Sequence, residues 1–308
     1  MDTNKEIKNL PKVYIVVLNW NDYENTKECI ASLDILSYPN YKILILDNNS
    51  QDKSGELLKK NFPQYEVILN SSNLGYTGGN NVGIKIALER DADYIFILNN
   101  DTIVKDKEFL NDMVAFMEKH KTIGILGPKI VSYSSKEVLT DYFSSIWWGN
   151  IEKQYLKNKK EYGENSRIST RLLGAAILVR GDLFKKIGLL KEDYFMYSEE
   201  DDFSLRAIIN NFDVVYFPNQ TVYRKVDNDG RAYNERKTYY CTRNKIHMLR
   251  ENLNGGFGVY MNIFNVLGEA KTILKHFLKG EFSISFCILK GLLHGFSKKY
   301  GINKVYHK

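Results

Sequence analysis

Three short, unbroken apolar runs constrain this chain more than any other feature in it. Val13–Leu18 reads VYIVVL, Lys42–Leu46 reads KILIL and Tyr94–Leu98 reads YIFIL. Runs this short, without polar alternation, mark strands buried on both faces. Segments of helical period separate them. Asn25–Leu36 places Cys29, Ile30 and Leu33 at helical spacing, a shorter stretch covers Gly55–Asn61, and Gly78–Arg90 carries Val82, Ile86 and Leu88. Glu66–Leu69 adds a strand before the last helix. This alternation predicts an α/β fold with a mostly parallel central sheet flanked by helices. Sheets of that kind bind ligands beyond the carboxyl ends of their strands. Here those ends carry Asn19, Asp47 and Asn99-Asn100-Asp101.

The later chain is less regular. Asp106–His120 predicts a helix, Gly124–Val131 and Leu172–Arg180 strands, Asp182–Ile187 a short helix, and Asp213–Phe217 a last strand. Two amphipathic helices follow at 258–279 and 282–299, broken at Gly280. Charge divides the chain in the same place. Lys plus Arg number 43 against 37 Asp plus Glu, yet from Lys245 onward there are ten basic and three acidic residues. The division predicts a near-neutral domain over 1–250 and a basic helical tail over 251–308. In the tail, the lysines either line the solvated face of helices packed on the body or attach the chain peripherally to anionic lipid. Nucleic acid is not an expected partner, because these lysines are spread along apolar helices without an RNA-binding motif.

Four of the five His also lie from Lys245 onward, which excludes a catalytic or metal-binding His cluster in the body before it. Three widely spaced Cys fit neither a disulfide framework nor a zinc site and read as reduced cytosolic thiols. With no run of about 18 apolar residues, the chain is expected to be cytoplasmic, at most touching the cytoplasmic face of a membrane. A homo-oligomer is left open.

Four polar segments carry the candidate chemistry. Asp47-Asn48-Asn49-Ser50 is a turn former, or a set of acceptors for a nucleotide's base or ribose. Asn73–Gly83 reads NLGYTGGNNVG, with three glycines in five residues ahead of a helix. Such a segment is a turn or a diphosphate cradle, although it is neither G-x-G-x-x-G nor a P-loop. Asp101, at a strand end beside a diphosphate, could hold Mg²⁺ or Mn²⁺. Glu199-Glu200-Asp201-Asp202 is either a solvated helix start or, flanked by Phe195, Met196, Tyr197 and Phe203, the source of a general base. Trp147 or Trp148 could stack on a sugar or pack in a core.

Taken in order, VYIVVLNWN, ILDNNSQD, NLGYTGGNNVGI, LNNDT and GAAILVR…GLLKEDYFMYSEEDDFSLRA resemble the family 2 glycosyltransferases, which have the GT-A nucleotide-diphospho-sugar transferase fold. The glycine-rich segment and YYCTRN (Tyr239 to Asn244) are most similar to the rhamnosyltransferase-like branch. The match spans about residues 12–250. The resemblance implies that Asp47 contacts the nucleobase, that Asn19 lies at the nucleotide pocket, and that Asn80 stands where many members carry Arg. It implies a divalent cation on Asp101, the last acid of a D-x-D motif, beside Asn99 and Asn100. It makes Glu200 the catalytic base, Asp202 the second acid of E-D-x-D, and Gly174 and Ala175 the lining of the acceptor side, to which Trp148 and Asp202 are joined as candidate contacts.

Three departures stand out. Asn99 replaces the first acid of D-x-D, the base is Glu rather than Asp, and Tyr223-Arg224-Lys225 occupies the place where many members have His. The implied reaction is inverting transfer of a sugar, rhamnose by the closest branch, from a dTDP- or UDP-sugar to a hydroxyl of a glycan or lipid-linked acceptor in cell-surface polysaccharide biosynthesis. The alternatives are a catalytically silent nucleotide-sugar or glycan-binding protein of the same fold, and a nucleotidyltransferase. The last would want a basic glycine-rich signature near the first strand, which NWNDYEN lacks.

Overall fold

A computed structural model describes residues 10–140, 155, 162–163, 165–225, 234–253 and 255–306. Its centre is one sheet ordered β3-β2-β1-β4-β9-β6-β10-β5. The strands are β1 (Val13–Asn19), β2 (Tyr41–Asp47), β3 (Glu66–Leu69), β4 (Tyr94–Asn99), β5 (Thr102–Val104), β6 (Ile123–Ser132), β9 (Ala176–Arg180) and β10 (Asp213–Arg224). Short β7 (Val138–Thr140) and β8 (Arg167–Ile168) pair with β6 and β10.

The three apolar runs form β1, β2 and β4, and these pair in parallel. Their alternate residues enter two cores, one on each face of the sheet. Val13, Ile15 and Val17 lie in one; Tyr14 and Val16 lie in the other. Burial on both faces is why the runs show no polar alternation. β9 is antiparallel to both β4 and β6, and β5 to β10, so the sheet is mostly but not wholly parallel.

From β1 the chain winds outward to β2 and β3, then returns to place β4 on the other side of β1. This reversal is a topological switch point, where the crevice beyond the strand ends opens. Asn19 pairs in register with Asp47, and Leu18 with Asn99. The register therefore brings all three predicted strand ends to one edge.

Helices α1 (Tyr23–Leu33), α2 (Ser54–Asn61), α3 (Gly75–Glu89), α4 (Phe109–Lys119), α5 (Gly181–Ile187) and α6 (Glu199–Ile209) belong to this α/β body. α3 begins three residues earlier than expected, so Gly75 joins Gly78 and Gly79 within its first turns. At Gly75, φ is +72° and a Cβ would collide with the Phe195 carbonyl oxygen, so a glycine is required twice over. Gly79 and Gly83 face Leu18 and Val16, where an added Cβ would stand 2.6 and 2.7 Å from their side chains. These glycines let α3 lie close to β1.

Three helices follow: α7 (Glu235–Asn252), α8 (Gly255–Leu278) and α9 (Phe282–Phe296). The boundary expected at 250 falls inside α7. Beyond it the chain is bound back to the body: Gly301 N donates to Asp193 O at 2.8 Å, and Arg243 Nη1 donates to Gly301 O at 2.6 Å. The appendage is helical as expected, and residues 282–306 pack on the α/β domain through α7.

Candidate active site

The floor of the crevice is a hydrogen-bonded set centred on Asn19. Its Nδ2 donates to Asp47 Oδ1 and to Ser54 Oγ, each at 2.7 Å, and its Oδ1 accepts from Thr26 Oγ1 at 2.7 Å. Asp47 also accepts from Ser50 N and Ser50 Oγ. Gly55 leaves room for its carboxylate, since a Cβ there would lie 2.5 Å from Asp47 Cγ. Asn19 is fully buried and its amide is spent internally, so it positions Asp47 rather than facing a ligand. Asn48 ties this floor to the glycine-rich segment, donating to Asn73 Oδ1 and Gly75 O and accepting from Leu74 N. Asn80 donates through Nδ2 to Tyr76 O at 2.9 Å, leaving Oδ1 buried without a hydrogen-bond partner.

On the other side of β1, the turn from β4 to β5 presents Asn99, Asn100 and Asp101. Asn99 N donates to Ala175 O, and Asn100 Nδ2 to Thr26 Oγ1. β5 pairs with the last residues of β10 and sets Arg224 opposite Thr102. As a result Arg224 Nε donates to Asp101 Oδ2 at 3.0 Å. Asp101 Oδ1 is buried and has no hydrogen-bond partner. Neither β5 nor the extension of β10 past Phe217 was expected, so the sequence did not reveal that Arg224 shares the Asp101 carboxylate.

The acidic run opens α6, and its four carboxylates stand in different surroundings. Burial, with the neighbouring Glu200 charge, pushes Glu199 well above the ordinary carboxylate range. Burial also pushes Asp201 up to about 7, despite Arg171 Nε at 2.9 Å. Glu200 lies 3.9 Å from Arg171 Nη2, and its Oε2 is buried without a hydrogen-bond partner.

Asp202 corrects an expectation. Its side chain is fully buried, ion-paired to Arg206 at 2.7 Å and Lys191 at 3.2 Å, and hydrogen-bonded by Tyr194 and Asn252. Burial alone would raise its pKa; Arg206 and Lys191 more than offset that and hold it below its usual value. Asp202 anchors α6 and has no surface left for an acceptor.

The segment that delivers these acids is strained. Phe195, Tyr197 and Ser198 all have φ between 64° and 67°, a left-handed conformation costly for residues with a Cβ. The YYCTRN string of α7 holds it there. Asn244 Nδ2 donates to the carbonyls of Tyr194, Met196 and Tyr197, at 3.1, 2.8 and 2.8 Å. Arg243 Nη2 donates to Tyr194 O at 2.9 Å.

Tyr76 joins the two halves. Its hydroxyl donates to Gly174 O at 2.7 Å, and the space above Gly174 is bounded by Glu200, whose Cβ lies 3.6 Å from where a glycine Cβ would stand. Burial, together with the nearby charges of Glu199, Glu200 and Asp101, pushes the Tyr76 hydroxyl far above its usual value, against the opposing charge of Arg224. Tyr76, Gly174, Glu200, Asp101 and Arg224 therefore surround one region. Ala175 is buried behind it and contributes only backbone. Trp148 lies outside the described residues.

Among the described residues no group of three or more His, Cys, Asp and Glu could enclose a metal ion. What is present suits the other mode of holding a hard cation, in which one or two carboxylates act together with substrate phosphates. Asp101 Oδ1, an orphaned carboxylate oxygen, is a donor of that kind.

Residues 14–187 match the family model described as Glycosyl transferase family 2. The chain belongs to that family. Within it, the chain is rhamnosyltransferase-like. It is 25% identical over 235 residues to the rhamnosyltransferase WbbL of Escherichia coli (strain K12), covering 72% of this chain and 86% of that protein. It is 23% identical to the N-acetylglucosaminyl-diphospho-decaprenol L-rhamnosyltransferase of Mycobacterium tuberculosis (strain CDC 1551 / Oshkosh), over 70% of this chain and 77% of that one. In fold it is similar to the mannosyltransferase PcManGT from Pyrobaculum calidifontis, solved with GDP-Man and Mn²⁺. That likeness has a TM-score of 0.59 and 10% identity, and covers 95% of this chain and 89% of the other. The fold is GT-A, as expected.

Within this family member, the motif residues read from the sequence gather at one edge of the sheet, apart from buried Asp202 and undescribed Trp148. The residues that reading missed are Tyr76 and Arg171. Arg171 alone had a visible signal, as a charge just ahead of an apolar strand.

Proposed function

We propose that this glycosyltransferase moves a sugar, rhamnose by its relatives, from a dTDP- or UDP-linked donor to a hydroxyl of a glycan or lipid-linked acceptor, with inversion, in cell-surface polysaccharide biosynthesis. The supporting observation is that Asp101 Oδ1 and Glu200 Oε2, both buried without hydrogen-bond partners, border the region around Tyr76 and Gly174. Buried acceptors without donors are costly, about 1–3 kcal/mol each, and are retained where a ligand supplies the missing partner. Hydroxyl-rich sugars and a bound cation are suitable partners.

In this reading Glu200 accepts the proton of the attacking hydroxyl, which Gly174 admits because it carries no side chain. Glu199, pushed well above the ordinary carboxylate range by burial and the Glu200 charge, stands beside the base. Arg224 stands on Asp101 as a fixed positive charge beside the departing diphosphate. Asp101 Oδ1 would hold Mg²⁺ or Mn²⁺, which when bound neutralises charge on the leaving group. Asp47 and the turn after β2 receive the nucleoside. Three free thiols fit a cytoplasmic reaction. Asn99, neutral where the family has an acid, favours one other reading, that of a silent nucleotide-sugar binder.

The test is Glu200→Gln, assayed for transfer and donor hydrolysis over a panel of dTDP- and UDP-sugars, with thermal stabilisation by donor as the measure of binding. Turnover is expected to fall about 10²–10⁴-fold while stabilisation persists. Equal rates for both proteins sink the base assignment. Donor binding without turnover in either protein supports the silent binder.

A further inference from the structure

α9 is apolar on two opposite faces. One face (Ile284, Cys287, Ile288, Gly291, Leu292 and Gly295) is buried, with its glycines against α7. Added Cβ atoms at Gly291 and Gly295 would lie 2.9 and 3.0 Å from the carbonyls of Tyr239 and Arg243. The other face carries Phe282, Phe286, Leu289, Leu293 and Phe296, spaced i, i+4, i+7, i+11, i+14, and each 47–62% exposed. α8 repeats this with Ile263, Leu267, Leu274, Phe277 and Leu278, which are 55–76% exposed. The two stripes meet at the Gly280 turn, where the rings of Phe277 and Phe282 are 5.0 Å apart. A contiguous exposed patch of this kind marks an interaction surface.

We infer that this hairpin is a membrane-surface anchor, lying in the interface of an anionic bilayer with the α8–α9 stripe among the acyl chains. Charge complementarity selects this occupant. Lys271, Lys275, Lys279, Lys290, Lys298, Lys299 and Lys304 belong to the same hairpin and its tail. Its acids are otherwise engaged: Glu281 is bound by His276, and Glu269 is largely buried. In a two-fold contact with a second copy, each patch meets itself, and lysines would face lysines. Phosphate headgroups answer them instead. No helix among the described residues is long and apolar enough to cross a membrane, so the hairpin lies in the surface.

The experiment is flotation of the full chain with mixed phosphatidylcholine–phosphatidylglycerol vesicles, at low and high salt, against phosphatidylcholine alone. Wild type should float with the mixed vesicles, and at least about tenfold less with neutral ones or in high salt. Phe286→Glu and Leu293→Glu, both at exposed positions, should each reduce partition at least about tenfold with unchanged thermal unfolding. Lys275→Gln should weaken it about fivefold. Absence of flotation at low salt overturns the inference, as does flotation indifferent to the stripe variants. A lipid-free dimer by sedimentation that Phe286→Glu dissociates assigns the face to a second copy and also overturns it. None of these readouts depends on the transfer reaction.

Discussion

Four consecutive acids, Glu199 to Asp202, show how much a single residue's surroundings decide. In the sequence they are one patch of negative charge. In the fold Asp202 is a buried ion-pair partner, Asp201 a carboxyl raised toward neutrality, Glu199 a carboxyl pushed well above its ordinary range and Glu200 the acid facing Gly174. Asp201 gives a prediction with a definite sign. Its pKa is 3.8 unfolded and about 7 folded, so the folded state binds its proton more tightly. The stability it contributes is complete below the unfolded value and is lost as pH rises through the folded one. Between about pH 4 and 7 its contribution to the melting temperature falls with rising pH, and Asp201→Asn flattens that part of the profile. Identical pH profiles for the two proteins would refute the assignment.

At the scale of elements, legibility followed local pattern. β1, β2 and β4 were readable because strands buried on both faces leave unbroken apolar runs. β5 was not, because three residues, Thr102–Val104, gain strand geometry only from the distant end of β10. The ion pair of Arg224 with Asp101 was hidden for the same reason. α7 was legible as a motif, YYCTRN, without its purpose. That purpose is mechanical: Arg243 and Asn244 hold the left-handed residues ahead of α6. Asn244→Ala removes three hydrogen bonds, takes this donor from the Met196 and Tyr197 carbonyls, and is expected to lower stability by about 1–3 kcal/mol. It should also impair turnover more than donor binding, because the acids of α6 lose their fixed position while β1 and β2 do not. Chemical unfolding, with a kcat against donor-KM comparison, checks both parts; an unchanged kcat would show that the segment needs no strap.

For the molecule as a whole, the crevice lowers stability when empty, since its acceptor oxygens are buried without donors. A ligand that satisfies them stabilises the native state by mass action, about 2.7 kcal/mol at a hundredfold excess over Kd. A rise in melting temperature of roughly 5 °C is therefore expected with a matching nucleotide sugar plus Mg²⁺ or Mn²⁺. Chelation or Asp101→Asn should remove most of it; a shift that survives both would show that Arg224 alone answers the diphosphate.

The close seating of Gly291 and Gly295 on α7 has a consequence for distance. α7 meets α9 through Tyr239, Thr242, Arg243 and Ile246, and turns Cys241, on its other side, toward the Glu200 charge. Packed helices stand about 8–10 Å apart, and α9 and then α7 lie between the exposed α9 stripe and the Glu200 charge. An acceptor tethered to the surface on which that stripe rests is then measured by height: its reacting hydroxyl must stand at the level of Glu200, and neither a much shorter nor a stiffer, longer stem can present it there.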